Sequence, residues 1–285
     1  MAGRPVTWPA KVQRVLLYLA MLAVVVVFAT PFVWMFGSAF KTQGDIFSHA
    51  YPLSWETIIP SRPTFDNFAS VIFGRGIGRN FLNNIIVAAA QVVLTVAVCA
   101  MAAFVFARMR FRGRDALFGL VVFSALIPFE ATMIPLFQVM GSLELRSTYF
   151  SLFLPWIANP LGIFLLRQAF IEVPREYEEA AIVEGASRFQ VFWNIVLPMS
   201  RPALITLTLL TFLWSWNSYL WPLIVMQDPS KQVIQVAIAS FSAPEQLPAW
   251  GDIFAASALA TIPVLSVFLL LQRYYVRGVA MSGLK

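Results

Sequence analysis

Apolar residues run almost unbroken through six stretches of this chain, near 15–36, 83–106, 116–140, 149–170, 202–226 and 253–274, and polar residues gather between them. Each stretch can cross a hydrocarbon core as a helix, which takes about 20 residues. The pattern predicts an all-α polytopic membrane protein with six transmembrane helices in a single domain over residues 1–285. The first stretch is too long for a removed signal peptide and lacks a small-residue cleavage site, so it reads as a retained signal anchor. Of the connections, 141–148 is a short turn. Residues 41–82 hold Pro52, Pro60 and Pro63 among aromatics and predict a structured loop. Residues 227–252 alternate Val233, Gln235 and Ala237 before Pro244 and Pro248, as a strand-like cap would.

The connection 171–201 differs from the others because it is helical in pattern without being apolar throughout. Pro174 suits a first helical position, and Glu176, Glu178 and Glu179 follow where the helix dipole favours negative charge. Tyr177, Ala180, Ala181 and Glu184 recur at helical spacing, placing two alanines on one flat face that another backbone could approach. Gly185 ends that helix. Ser187 with Gln190 reads as a capping box, and Phe189, Phe192, Trp193 and Val196 form the apolar stripe of a second helix that Pro198 stops. Two short helices are therefore expected to meet at a glycine bend.

Composition supports the membrane reading, since 59% of residues are hydrophobic and only 12% charged. The net charge of +6 does not point to nucleic acid, because the basic residues sit between apolar stretches and not on one face. Fourteen of the twenty Lys and Arg fall before the first stretch, around 108–114, around 167–201 and in the tail. The positive-inside rule then places those segments, the 171–201 loop and both termini in the cytoplasm, and 41–82, 141–148 and 227–252 outside. Cys99 is alone in an apolar run, and His49 has no suitably spaced partner, so neither a disulfide nor a metal site is expected.

Candidate chemistry is sparse. Glu130 lies between Pro128 and Pro135 inside the third stretch, and an ionisable group there either lines a pathway or sits near the interface. Asn159-Pro160 interrupts the fourth stretch. Trp216, Asn217 and Tyr219 in the fifth combine rings with an amide, as a sugar path would, while Trp221 reads as an interfacial anchor. The run 108–115, RMRFRGRD, is a topology-setting turn or a binder of anionic headgroups. No GxxxxGK[ST] loop and no nucleophile–base arrangement occurs, so neither ATP hydrolysis nor other catalysis is expected in this chain.

Glu179-Ala180-Ala181, Gly185, Ile195 and Leu197-Pro198, with Glu184 before the glycine, resemble the EAA loop of the membrane permeases of ABC importers. The resemblance implies that these residues dock on an ATP-binding subunit dimer, which holds the ATP and Mg and passes its motion to the membrane helices. Residues 162–170 and 216–225 resemble the sugar-importing, maltose-type branch. The ending resembles the second of its two permeases, whose tail, here Gly283, Leu284 and Lys285, can reach the ATPases. The same branch implies a second homologous permease, a sugar substrate, a solute-binding protein met through Gln235, Ala237 and Ser240, and a bacterial or archaeal cytoplasmic membrane. A proton-coupled secondary transporter using Glu130, or a permease for a non-sugar solute, are the alternatives.

Overall fold

The computed structural model describes residues 10–48, 54–242 and 248–282, and among them every regular element is helical. In chain order these are α1 (Ala10–Ser38), α2 (Asp45–Ser48), α3 (Asp66–Ala69), α4 (Ile77–Arg108), α5 (Arg114–Ser124), α6 (Phe129–Ser142), α7 (Tyr149–Phe153) and α8 (Pro160–Glu172). Then come α9 (Arg175–Val183), α10 (Arg188–Val191), α11 (Leu197–Met199), α12 (Arg201–Trp216), α13 (Leu220–Val225), α14 (Ile234–Ser240) and α15 (Trp250–Ser282). Tail residues Gly283, Leu284 and Lys285, and His49, lie outside the described residues.

Among the described residues three helices are long and apolar enough to span a membrane unaided, α1, α4 and α15. The remaining spans are broken. The stretch expected as one helix over 116–140 is α5 and α6, bent by 99°. Pro128 explains the break, since it offers no N–H and pushes its predecessor out of the helical region; it caps α6 in extended backbone. The fourth span bends by 47° between α7 with its following 3₁₀ turn and α8, where the Asn159 side chain caps α8 by accepting from the Gly162 N–H at 2.8 Å. The fifth is also not continuous: α12 stops at Trp216, and α13 restarts with Pro222 in its first turn, where a missing N–H costs nothing. Nor is 227–252 strand-like, because Val233, Ile234, Val236 and Ala237 bury one side of a short helix, α14.

The described residues fall into two compact units, one reaching Arg75 and including Phe241–Leu259, the other Gly76–Ser240 with α15 from Ala260. In the first, the 41–82 connection is tied down by polar contacts: the buried Lys41 donates to the Thr57 carbonyl at 2.7 Å, and the Asn67 amide to the Ala39 and Lys41 carbonyls. Burial pulls the Lys41 pKa down, against the attraction of Asp45 and Glu56. Asp252 receives Ser70 and Arg75, the latter at 2.6 Å.

In the second unit α4 is the axis. Its C-terminal half packs Cys99, Ala100, Ala103, Phe104 and Ala107 against α8, α10 and α12. Gly162 makes this approach possible, because a Cβ there would lie 2.8 Å from a Leu207 methyl and 3.1 Å from the Cys99 sulfur. The N-terminal half of α4 carries amides instead. Asn83 donates to the Ser230 and Gln232 carbonyls and accepts from the Tyr149 hydroxyl at 2.8 Å, which fixes the α13–α14 connection.

Candidate functional site

The two short helices of 171–201 form an elbow whose every turn is locally specified. Pro174 is the N-cap of α9 and not its first residue, with φ −60° and ψ 135°. At the other end Glu184 caps α9 and Gly185 takes φ +93°. The Gly185 N–H then reaches the Ile182 carbonyl and the Ala186 N–H the Ala181 carbonyl, the paired bonds of a Schellman ending. Ser187 and Gln190 make the capping box, with the Ser187 N–H donating to the Gln190 Oε1 at 2.7 Å. Pro198 does not stop the second helix. A π turn over Phe192–Val196 opens the ladder just before it, and the chain turns at Ser200, where α12 leaves at 79°.

That π turn corrects the expected stripe. Val191, Phe192 and Val196 are buried, with the Phe192 ring 5.0 Å from that of Phe104, while Phe189 and Trp193 stack on each other in the open. On α9 the exposed apolar residues are Tyr177, Ile182 and Val183, the last 88% exposed. Glu179, Ala180, Glu184 and Gly185 are exposed, and Ala181, Ile195, Leu197 and Pro198 partly so. The elbow thus has a seated face and a bare apolar face. Its seat includes an ion pair that sequence reasoning missed: Arg108 Nε lies 2.6 Å from Glu178 Oε1, and Arg108 also donates to the Val173 carbonyl at 2.6 Å. Burial raises the Glu178 pKa and outweighs the opposing pull of Arg108 and Arg175. Beside the pair a cavity of about 300 Å³ is lined by Arg110, Arg175, Arg188, Glu179 and Ile182.

The residues expected to line a solute path do not form one cluster. Glu130 is exposed in the first turn of α6, where a helix N-terminus suits its charge. Asn159 serves as a cap. Trp216 is buried and donates its indole N–H to the Ala260 carbonyl at 3.0 Å, while Asn217 and Tyr219 are exposed. The Trp216 carbonyl accepts from both Asn84 and Gln235. Trp221 is no interfacial anchor, being buried with its indole on the Ser151 carbonyl. Of the outer-loop candidates, Ala237 is buried, Gln235 half-buried and Ser240 exposed.

A grouping absent from the sequence reading stands where the broken spans meet. Trp156, in the turn before α8, has ring centroids 5.2 Å from Phe129 at the start of α6, 4.6 Å from Trp214 on α12 and 6.2 Å from Trp221 on α13. Thr95, near the middle of α4, donates to the Trp156 carbonyl, so this cluster lies deep in the span. Trp214 remains 48% exposed.

Apolar spans, three of them broken, and a rigid elbow with one bare face define a polytopic membrane protein with a surface left for a partner. Residues 96–281 match the family described as binding-protein-dependent transport system inner membrane component. The Probable ABC transporter permease protein YurM of Bacillus subtilis is 34% identical, with 95% of this chain and 87% of that protein covered. The arabinooligosaccharides transport system permease protein AraQ of Halalkalibacterium halodurans is 30% identical, with 93% and 94% covered. A chain of a bacterial ABC transporter involved in import of the acidic polysaccharide alginate superposes with a TM-score of 0.84 at 21% identity, covering 95% of this chain and all of that one. The chain belongs to this family of binding-protein-dependent inner membrane components and is a permease subunit of an ABC importer.

Proposed function

We propose that this permease carries a sugar or oligosaccharide across a bacterial or archaeal cytoplasmic membrane, with both termini inside. A separate ATPase dimer, holding ATP and Mg, drives it. It works beside a second homologous permease and takes its solute from an extracytoplasmic binding protein. The observation that carries this reading is the elbow: α9, α10 and the π turn after them leave Tyr177, Ile182, Val183, Phe189 and Trp193 bare on a segment that capping and the Arg108–Glu178 pair hold rigid. Bare apolar groups on a fixed polar segment suit a protein partner. Motion delivered there reaches the core directly through Phe192 and Val196. The sugar assignment is supported by the arabinooligosaccharide relative and by the ring of Trp214, open beside the span breaks.

The test is the reconstituted assembly with binding protein, solute and ATP. Gly185→Val places a β-branched residue at φ +93° although no atom lies within 4 Å of the new Cβ, so its defect is in the backbone and not a clash. Solute-stimulated ATP hydrolysis should be lost while membrane insertion is kept. Normal stimulation would count against the elbow as coupling element. Uptake should persist with the proton gradient collapsed, in wild type and in Glu130→Gln; its loss with ATP still supplied would favour proton coupling instead.

A further inference from the structure

Between α4 and α5 the chain makes a turn that is more rigid and more basic than a plain connection requires. Gly113 takes φ +83° to start α5, and Phe111 is held against Phe106, which packs in turn on Phe118, at 6.2 and 5.5 Å between ring centroids. Arg167 lies over the Phe118 ring at 4.2 Å and adds positive charge to the same corner. The turn encloses an open cavity of about 390 Å³, lined by Arg110, Phe111, Gly113, Arg114, Asp115 and Ala116. Arg114 is tied through Nε to Asp115 at 2.9 Å, while Arg110 has no ion-pair partner among the described residues. One carboxylate therefore faces two guanidinium groups, so the cavity is short of negative charge. Immediately beyond it, α5 exposes Leu117, Leu120 and Phe123, each at least half exposed, as a helix facing hydrocarbon would.

We propose that this turn binds the headgroup of an anionic phospholipid, with the phosphate between Arg110 and Arg114 and an acyl chain along Leu117 and Leu120. A guanidinium offers the paired donors that phosphate oxygens accept, and the aromatic packing holds the turn open without cost at the moment of binding. A soluble phosphate would use the arginines alone and leave the apolar wall of Phe111 and α5 idle, so the lipid accounts for more of the surface. Arg110 also lines the cavity beside the elbow, so an occupied headgroup site fixes a side chain that the coupling segment shares. The lipid would come from the inner leaflet on the orientation proposed above, yet its binding in detergent does not depend on that orientation.

The full chain, purified with its partner subunits and stripped of lipid, is offered phosphatidylglycerol and phosphatidylcholine in equal amounts, and retained lipids are counted by native mass spectrometry. Wild type should keep phosphatidylglycerol in preference. The Arg110→Gln/Arg114→Gln form should bind it about thirtyfold more weakly, from ~1 kcal/mol for each arginine near an anionic surface. Arg110→Lys/Arg114→Lys, which keeps the charge and loses the paired donors, should fall between wild type and the glutamine form, and Arg62→Gln on the outer loop should keep all of the preference. Inorganic phosphate should not displace the lipid. Equal retention of the two lipids by wild type, an unchanged preference in the glutamine form, or displacement by inorganic phosphate would each overturn the proposal. The first two leave no headgroup site, and the third leaves a site for a soluble anion.

Discussion

Breaking the Arg108–Glu178 pair tests how the elbow is held. Their side chains are 5% and 13% exposed, so neither charge can be rescued by water if the other is removed. Removing one partner of such a pair costs about 3–5 kcal/mol, whereas replacing both by apolar or neutral groups of similar size is often near neutral. The two single variants should not be equal. Glu178→Gln leaves Arg108 its bond to the Val173 carbonyl and an amide oxygen nearby, so a cost at the low end, about 3 kcal/mol, is expected. Arg108→Met strands a buried carboxylate and a carbonyl, at the full 3–5 kcal/mol or about. The Arg108→Met/Glu178→Gln double variant strands no charge and should recover most of the Arg108→Met loss, short of wild type by about 1–2 kcal/mol for the unpaired Val173 carbonyl. Amide hydrogen exchange over residues 175–183 in the assembled complex reads the local opening directly. Burial already raises the Glu178 pKa, and loss of Arg108 raises it further. The folded form then takes up a proton more readily than the unfolded, so in Arg108→Met the elbow should tighten as pH falls through that raised pKa and loosen as it rises. Additive single effects, or an Arg108→Met defect that worsens on mild acidification, would refute the reasoning.

Two further outcomes follow from the packing and the charge distribution. Gly162→Ala should lower the melting temperature of the purified complex by the equivalent of ~1–3 kcal/mol, since its Cβ would press on Leu207 and Cys99, and Leu207→Ala should relieve part of it; an additive double variant would mean the helices do not cross there. A thiol reagent that cannot cross membranes should modify Ser242→Cys in intact cells and miss Ser187→Cys; both serines are exposed and Cys99 is buried, so the reverse pattern could come only from inverted topology.

What could be read from the sequence was chemistry closed within a few residues. The capping box joins Ser187 to Gln190, and the left-handed ending of α9 needs only Gly185, so the bend between the two elbow helices was legible. Broken spans were signalled where a proline supplied the cause, as at Pro128 and Asn159-Pro160. The stop at Trp216 was not, because what holds it lies far away: its indole bonds Ala260, 44 residues on, and that of Trp221 bonds Ser151, 70 residues back. The Arg108–Glu178 pair and the meeting of Phe129, Trp156 and Trp214 are distant in the same way.

The stripe on the second elbow helix failed for a different reason. Apolar periodicity finds an apolar face but does not say whether it meets this chain's core, lipid or another subunit, and the π turn at Phe192–Val196 shifts the register within it. Phe189 and Phe192 are equally apolar, yet one is 70% exposed and the other 6%. In a chain this apolar, hydrophobicity stops discriminating inside from outside, and polar residues within the apolar runs carry the information instead. On α4, Asn83, Asn84, Gln91, Thr95 and Cys99 are all buried, and they trace the side that faces the α7–α8 turn, α12 and the α13–α14 connection. Lipid would leave such amides unsatisfied, so a stripe of them along an otherwise aliphatic helix identifies the side packed on protein before any contact is known.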